Sequence, residues 1–320
     1  MKHDTMQSRL FFTKYGTILA FFVLFLLFAV GVPGFADPSN LINILTQIAL
    51  LLIIAEGFTM VLIVGELDLS FANLASFASV LVAGLIIRGV NPLLAVLICL
   101  CVGVLFGFVN GILVTKVGIA SLITTLAMGI VANGFIYMYT KGVSFYGNLP
   151  EGFLFLGRGR IGPVPFLVAI MFVVLIVSHV FVRHTVAGSS LQATGGNAQA
   201  ARLAGINTQF YKRLGLILCS FAAALTGVLL TSRLGAANPE GAGGFLMEGF
   251  AIVLLGQTAF TVGRANPMGT FVGALIIGTL NNGLTLLGAE YFMQDIVKGL
   301  IILLAVVISS LQTKKLEGRA

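Results

Sequence analysis

The chain has 320 residues, of which 58% are hydrophobic and 9% charged, and its net charge is +7. Apolar runs of ~20 residues, enough to cross a bilayer core, recur along it, so it reads as an all-α polytopic membrane protein and not as a water-soluble domain. A membrane β-barrel is excluded because its strands alternate apolar and polar residues. Nucleic acid is excluded as a partner because the basic residues are scattered at the ends of apolar runs, where the positive-inside rule places them.

In chain order the apolar spans fall at about 15–35, 41–64, 69–88, 93–114, 120–140, 165–184, 213–233, 245–263, 268–288 and 292–311, which makes about ten transmembrane helices in one domain over 1–320. An even count puts both termini on one side. Of the 18 Lys and Arg residues, Arg88, Lys141, Arg158, Arg160 and Arg233 fall on the far side, Lys298 lies inside the last span, and the other twelve flank the side of the termini. Both ends are therefore expected in the cytoplasm. For the first span the alternative is a cleaved signal peptide, since Lys2, Arg9 and Lys14 precede it, although the run exceeds an h-region in length.

Two segments lie outside the spans. The outer one, "KGVSFYGNLPEGFLFLGRGRIGPVP" at 141–165, mixes Gly, Pro and aromatics without periodicity and reads as an ordered surface loop. The inner one runs from Arg183 to Arg213. Within the fourth span, Gly103, Gly107 and Gly111 recur at i+4, as Gly269 and Gly273 do in the ninth, a spacing that lets helix backbones approach closely in lipid. Cys99, Cys101 and Cys219 lie within apolar runs and read as small buried hydrophobes, with neither disulfide nor metal framework.

Ionisable groups inside spans are few. "EGFTMVLIVG" at 56–65 is echoed by "EGFAIVLLG" at 248–256, so Glu56 and Glu248 are candidate buried acids: Glu56 deep in its run and facing the bundle, Glu248 near a span end and within reach of the interface. The uncharged polar groups form a candidate pathway. Ser121, Thr125, Gly129 and Asn133 succeed one another at i+4 in the fifth span, Asp68, Ser70 and Asn73 open the third, and Asn281 and Asn282 sit in the ninth. Hydroxyls and amides suit the passage of a neutral hydroxylated solute through weak contacts, and equally suit interhelical hydrogen bonds. No catalytic apparatus is visible: the sequence holds no G-x-x-x-x-G-K-[ST], no H-E-x-x-H and no G-x-S-x-G, and His3, His179 and His184 fall at span ends or a terminus. The chain is expected to be neither an enzyme nor a metal protein, and has no phosphate loop of its own.

The inner segment carries the most specific signal. In "ATGGNAQAARLAGI" at 193–206, Asn197 after Gly195 and Gly196 is a good N-cap, Ala198 to Ala204 favour helix, and Gly205 is a natural stop. A helix this short needs a surface to dock on. Ala200, Ala201, Leu203 and Ala204 are small enough to enter a groove on a peripheral cytoplasmic partner, the alternative being packing against the chain's own loops.

The same stretch resembles the "GGN…AARLAGI" segment of permease subunits of ribose-type ABC sugar importers. "GELDLS" at 65–70 is similar to that family's Gly-Gly-Ile-Asp-Leu-Ser, "NNGLTLLG" at 281–288 to its Asn-Asn-Gly-Leu-Asn-Leu-Leu-Gly, and "VKGLIILLAVVI" at 297–308 to its last span. The resemblance implies the type II importer architecture in a bacterial inner membrane. It implies two permease copies or paralogues, a cytoplasmic ATPase pair that holds ATP and Mg, and a periplasmic or tethered solute-binding protein. It makes 193–206 the coupling helix that seats in the ATPase, and the imported solute a monosaccharide or a similar small polyol. Two departures stand out: Glu66 replaces a family glycine, and Glu248 stands where aspartate is usual. A stand-alone secondary transporter is the alternative, but it leaves the docking helix unexplained.

Overall fold

The computed structural model describes residues 2–260, 263–290, 292–300 and 303, with side chains from residue 16 onward. The chain divides into two compact units, residues 1–48 with 250–320, and residues 49–249. The first contains α1 (Lys2–Gly31), the start of α2 (Pro38–Ile63), the end of α11 (Phe245–Gly256) and α12 (Pro267–Leu286), followed by a helical run over 292–300. The second contains α3 (Phe71–Ile87), α4 (Pro92–Ile112), α5 (Ser121–Thr140), α6 (Glu151–Arg158), α7 (Phe166–His184), α8 (Val186–Gly196), α9 (Ala198–Leu203) and α10 (Thr208–Leu234). Among the described residues six helices are long and apolar enough to cross a membrane: α2, α4 with its π-helical continuation to Val117, α5, α7, α10 and α12. The expected spans at 15–35, 69–88 and 245–263 fall on shorter apolar helices. Most of the span expected at 292–311, with Lys314, Lys315 and Arg319, lies outside the described residues.

Helix starts follow local chemistry. Asn91 and Asn266 each stand before a proline at N1, and their side-chain oxygens accept from the amides of Leu93 at 2.9 Å and Gly269 at 2.7 Å. The proline has no donor to satisfy, and the asparagine meets one of those that remain.

In the larger unit α10 is the spine, with α3 and α4 packed on it. The α4 glycines make that approach possible. A Cβ on Gly103, Gly107 or Gly111 would lie 2.9 Å from the Ser220 carbonyl oxygen, 2.7 Å from that of Leu216 and 2.7 Å from Arg213 Cγ, so any larger residue would drive the helices apart. In the smaller unit Gly269 packs on the Gly256 backbone and Gly273 on the Ile252 carbonyl. Cys99 and Cys219 are buried as expected, whereas Cys101 is exposed.

The 141–165 segment has more order than its sequence suggests. It contains α6, the strand Phe145–Tyr146 that pairs antiparallel with Ala236–Ala237, and a second two-residue ladder between Arg160–Ile161 and Val164–Pro165. Phe153 and Gly157 of α6, one turn apart, are buried against the end of α10. Ser232 Oγ donates to the Phe153 carbonyl at 2.6 Å and accepts from the Gly157 amide at 2.7 Å, while Arg158 Nε donates to the Arg233 carbonyl at 2.8 Å. Tertiary contact, not periodicity, makes this helix.

In the smaller unit Asn40 and Asn282 exchange side-chain hydrogen bonds at 2.8 and 3.0 Å, and Asn40 Nδ2 also reaches the Phe35 carbonyl at 2.8 Å. Both amides are buried. Asn282→Leu leaves the buried Asn40 Oδ1 without its donor and is expected to cost about 1–3 kcal/mol, read as a lower thermal midpoint in detergent. Asn40→Leu with Asn282→Leu should cost less than the sum of the single changes.

Candidate functional site: the 65–70 turn and the inner helices

The site is built on the end of α2. Gly65, at φ 79°, closes that helix in a Schellman motif: its own amide donates to the Leu62 carbonyl and the Glu66 amide to that of Val61, both at 3.1 Å. A left-handed residue is required there, and glycine takes it without strain. The chain then runs without regular structure to α3, bending at Leu69. Asp68 and Ser70 are fully buried while Leu67 and Leu69 are partly exposed.

The polar atoms of this turn find partners inside the protein. The Leu67 amide donates to Ser121 Oγ at 3.1 Å and the Leu69 amide to Thr125 Oγ1 at 2.9 Å. Asn73 Nδ2 donates to the Gly129 carbonyl at 3.1 Å. On the opposite face Asp68 Oδ1 accepts from the Ser70 amide at 2.7 Å and from Ser70 Oγ at 2.6 Å, and Asn110 Nδ2 donates to Ser70 Oγ at 3.2 Å. Asp68 thus caps the entry to α3 in place of Ser70, whose own side chain makes no capping bond. Asp68, Ser70, Asn73, Ser121 and Thr125 are therefore one cluster.

The other expected pathway residues separate from it. Each i+4 step advances 40°, so Asn133 stands about 120° round α5 from Ser121. It is exposed, and the buried face continues instead through Ala132, Ile136 and Thr140. Asn281 and Asn282 belong to the smaller unit, where Asn282 is engaged with Asn40 and Asn281 Oδ1 is buried without a hydrogen-bond partner among the described residues. Glu56 is 1% exposed on α2, with the Ser178 side chain of α7 beside its carboxylate. Glu248, in the first turn of α11, is only half-buried, since a helix terminus leaves its side chain room to reach outward.

The inner segment is longer and better ordered than two turns. Asn197 caps α9 as its sequence predicts, its Oδ1 accepting from Gln199 and Ala200 amides at 3.1 and 2.9 Å, and Gly205 ends it at φ 82°. Ahead of it lies α8, which sequence reasoning missed because "VAGSSLQATGG" is poor in helix formers. Thr185 caps α8 by accepting from the Gly188 amide at 3.0 Å, and Gln192 Nε2 donates to the Val182 carbonyl of α7 at 2.8 Å. At its far end Gly195 meets the end of α2: a Cβ there would overlap the Ile63 carbonyl oxygen and come within 3.0 Å of the Val64 carbonyl carbon.

On α9, Ala201 is turned inward at 5% exposure, while Gln199, Ala200 and Ala204 are exposed and Leu203 is 88% exposed. The small inward residue serves the chain's own packing, so Ala201 is not the outward contact its size suggests. Gly196 has open space around it. The link onward is tight: the Ile206 amide donates to the Ala201 carbonyl at 3.0 Å and Arg202 Nε to Thr208 Oγ1 at 2.8 Å. One further contact was not legible in the sequence: Glu66 is salt-bridged to Lys212 of α10.

Residues 40–306 match the family described as branched-chain amino acid transport system / permease component. The chain belongs to that family. It is 38% identical to the ribose import permease protein of Bacillus subtilis, over 95% of this chain and 96% of that one. It is 35% identical to the ribose import permease protein of Escherichia coli K12 over 97% and 99%, and 32% identical to that organism's D-allose transport system permease protein over 95% and 94%. No solved structure matches the chain. A multi-pass membrane permease is what the family and the apolar helices together describe.

Thr125→Val keeps shape but removes the acceptor for the Leu69 amide, and should destabilise the protein by about 1–3 kcal/mol. Asn133→Leu, on the exposed face of α5, should leave the thermal midpoint unchanged. Melting curves in detergent check both.

Proposed function

We propose that the chain is the membrane-spanning subunit of an ATP-driven importer of a monosaccharide or a similar small hydroxylated solute. About ten helices cross a bacterial cytoplasmic membrane in the type II importer arrangement, with both termini inside. A second permease chain, a cytoplasmic ATPase that supplies ATP and Mg, and a solute-binding protein complete the system. The ribose and allose permeases that the chain resembles over nearly their whole length support the solute class.

The observation that carries the reading is α9. A two-turn helix whose outward face is Gln199, Ala200, Leu203 and Ala204 is braced from behind by Ala201, Arg202 and the contact of Gly195 with α2. A leucine 88% exposed in a polar segment is an apolar knob without a socket among the described residues. A groove in an ATPase subunit supplies the socket, and bracing lets a push on α9 reach the 65–70 turn. Asp68, Ser70, Asn73, Ser121 and Thr125 then act by holding the shape of that turn, and 193–206 acts as the coupling segment.

The test is copurification from the native host together with uptake of D-ribose, L-arabinose and D-allose in a strain lacking the gene. The native chain should bring down an ATPase and restore uptake of at least one sugar. Leu203→Arg should insert and melt normally yet lose both. Transport by the purified chain alone in liposomes, with no ATPase, would make it a secondary transporter and overturn the reading.

Topology is checked separately. A cysteine at the exposed Asn148 should react with an impermeant maleimide from outside, and tags at Lys2 and Ala320 should be protected. Opposite accessibility of the two tags would contradict an even number of spans.

A further inference from the structure

The Glu66–Lys212 salt bridge joins groups 146 residues apart in the chain. Glu66 directly follows the glycine that closes α2. Lys212 lies one turn beyond Thr208, which Arg202 of α9 holds, so Lys212 shares a rigid helix start with the docking element. The pair is partly enclosed, with side-chain exposures of 11% for Glu66 and 26% for Lys212. The neighbouring basic groups are engaged elsewhere: Arg213 Nε donates to the Gln209 carbonyl at 3.2 Å and its side chain lies over Gly111, while Arg202 holds Thr208.

Beyond the packing of Gly215 of α10 on Val64 and the Met60 carbonyl, two contacts tie the inner helices to the α2 end. Gly195 against the Ile63 carbonyl is a steric contact between backbones, which transmits a push but not a pull. The ion pair resists separation.

Building on the proposed importer function, we propose that Glu66 and Lys212 form a latch. The pair holds the 65–70 turn against the start of α10 between transport cycles and thereby suppresses ATP hydrolysis when no solute is delivered. Both are positioning residues: neither needs to touch the solute.

The test uses the whole complex of this chain with its copurified ATPase, reconstituted in liposomes, and reads ATP hydrolysis without added solute. Glu66→Gly should raise it about fivefold or more, and Lys212→Glu, which sets two carboxylates together, should raise it further. Lys212→Gln, nearly isosteric and neutral, should match Glu66→Gly and covers the case in which the reversed charge prevents assembly. Glu66→Lys combined with Lys212→Glu should return the rate to within about twofold of native, because the pair is restored with its charges exchanged. Raising salt from ~0.05 to ~0.5 M should raise hydrolysis by the native complex and not by the Glu66→Gly complex, since ions screen a partly exposed pair.

Unchanged hydrolysis in Glu66→Gly and Lys212→Gln, or a rise that the exchanged pair does not reverse, overturns the latch and leaves the importer function standing. If the native chain brings down no ATPase, both fall together.

Discussion

Everything in the larger unit depends on how the chain passes from α2 to α3 without leaving backbone groups unpaired. Residues 65–70 interrupt the helix next to a buried core, where unmet amides are costly. Two hydroxyls of α5 and the Asp68 carboxylate meet them. Those partners sit at fixed places on helices, so the turn has one register. Asp68 and Ser70 face the protein because the amides of Leu67 and Leu69 face α5.

The same turn is where the inner helices arrive. The α8 helix brings Gly195 onto the Ile63 carbonyl, and α10 brings Lys212 to Glu66. A segment that is poor in helix formers is thus held as helix by what it touches: the α7 end through Gly188 and Gln192, and the α2 terminus through Gly195. This gives α9 a rigid mount. A docking element on a flexible loop would absorb a partner's motion, whereas one fixed to α2 and α10 passes it on.

The polar residues of the spans divide by role more sharply than their chemistry suggests. Ser121 and Thr125 spend their hydroxyl acceptors on the backbone of the turn, and Asn282 spends its amide on Asn40. These residues shape the protein. Glu56 is different: a buried carboxylate on α2, it has the Ser178 side chain of α7 beside it and holds no backbone of the turn.

The sequence by itself determined the class of protein, the six long apolar helices, the glycine ladder of α4, the Asn197 cap and the family resemblance, because each rests on composition or on spacing along one element. The mixed segment at 141–165 and the weak helix at 186–196 were illegible in it, since Ser232 and the end of α2 organise them from far along the chain. Only tertiary structure turned Ala201 inward, carried Asn133 off the buried face of α5 and paired Glu66 with Lys212. Periodicity tells which residues share a face. Which face a neighbour covers, and which charge stands opposite another across 146 residues of chain, is decided by packing alone.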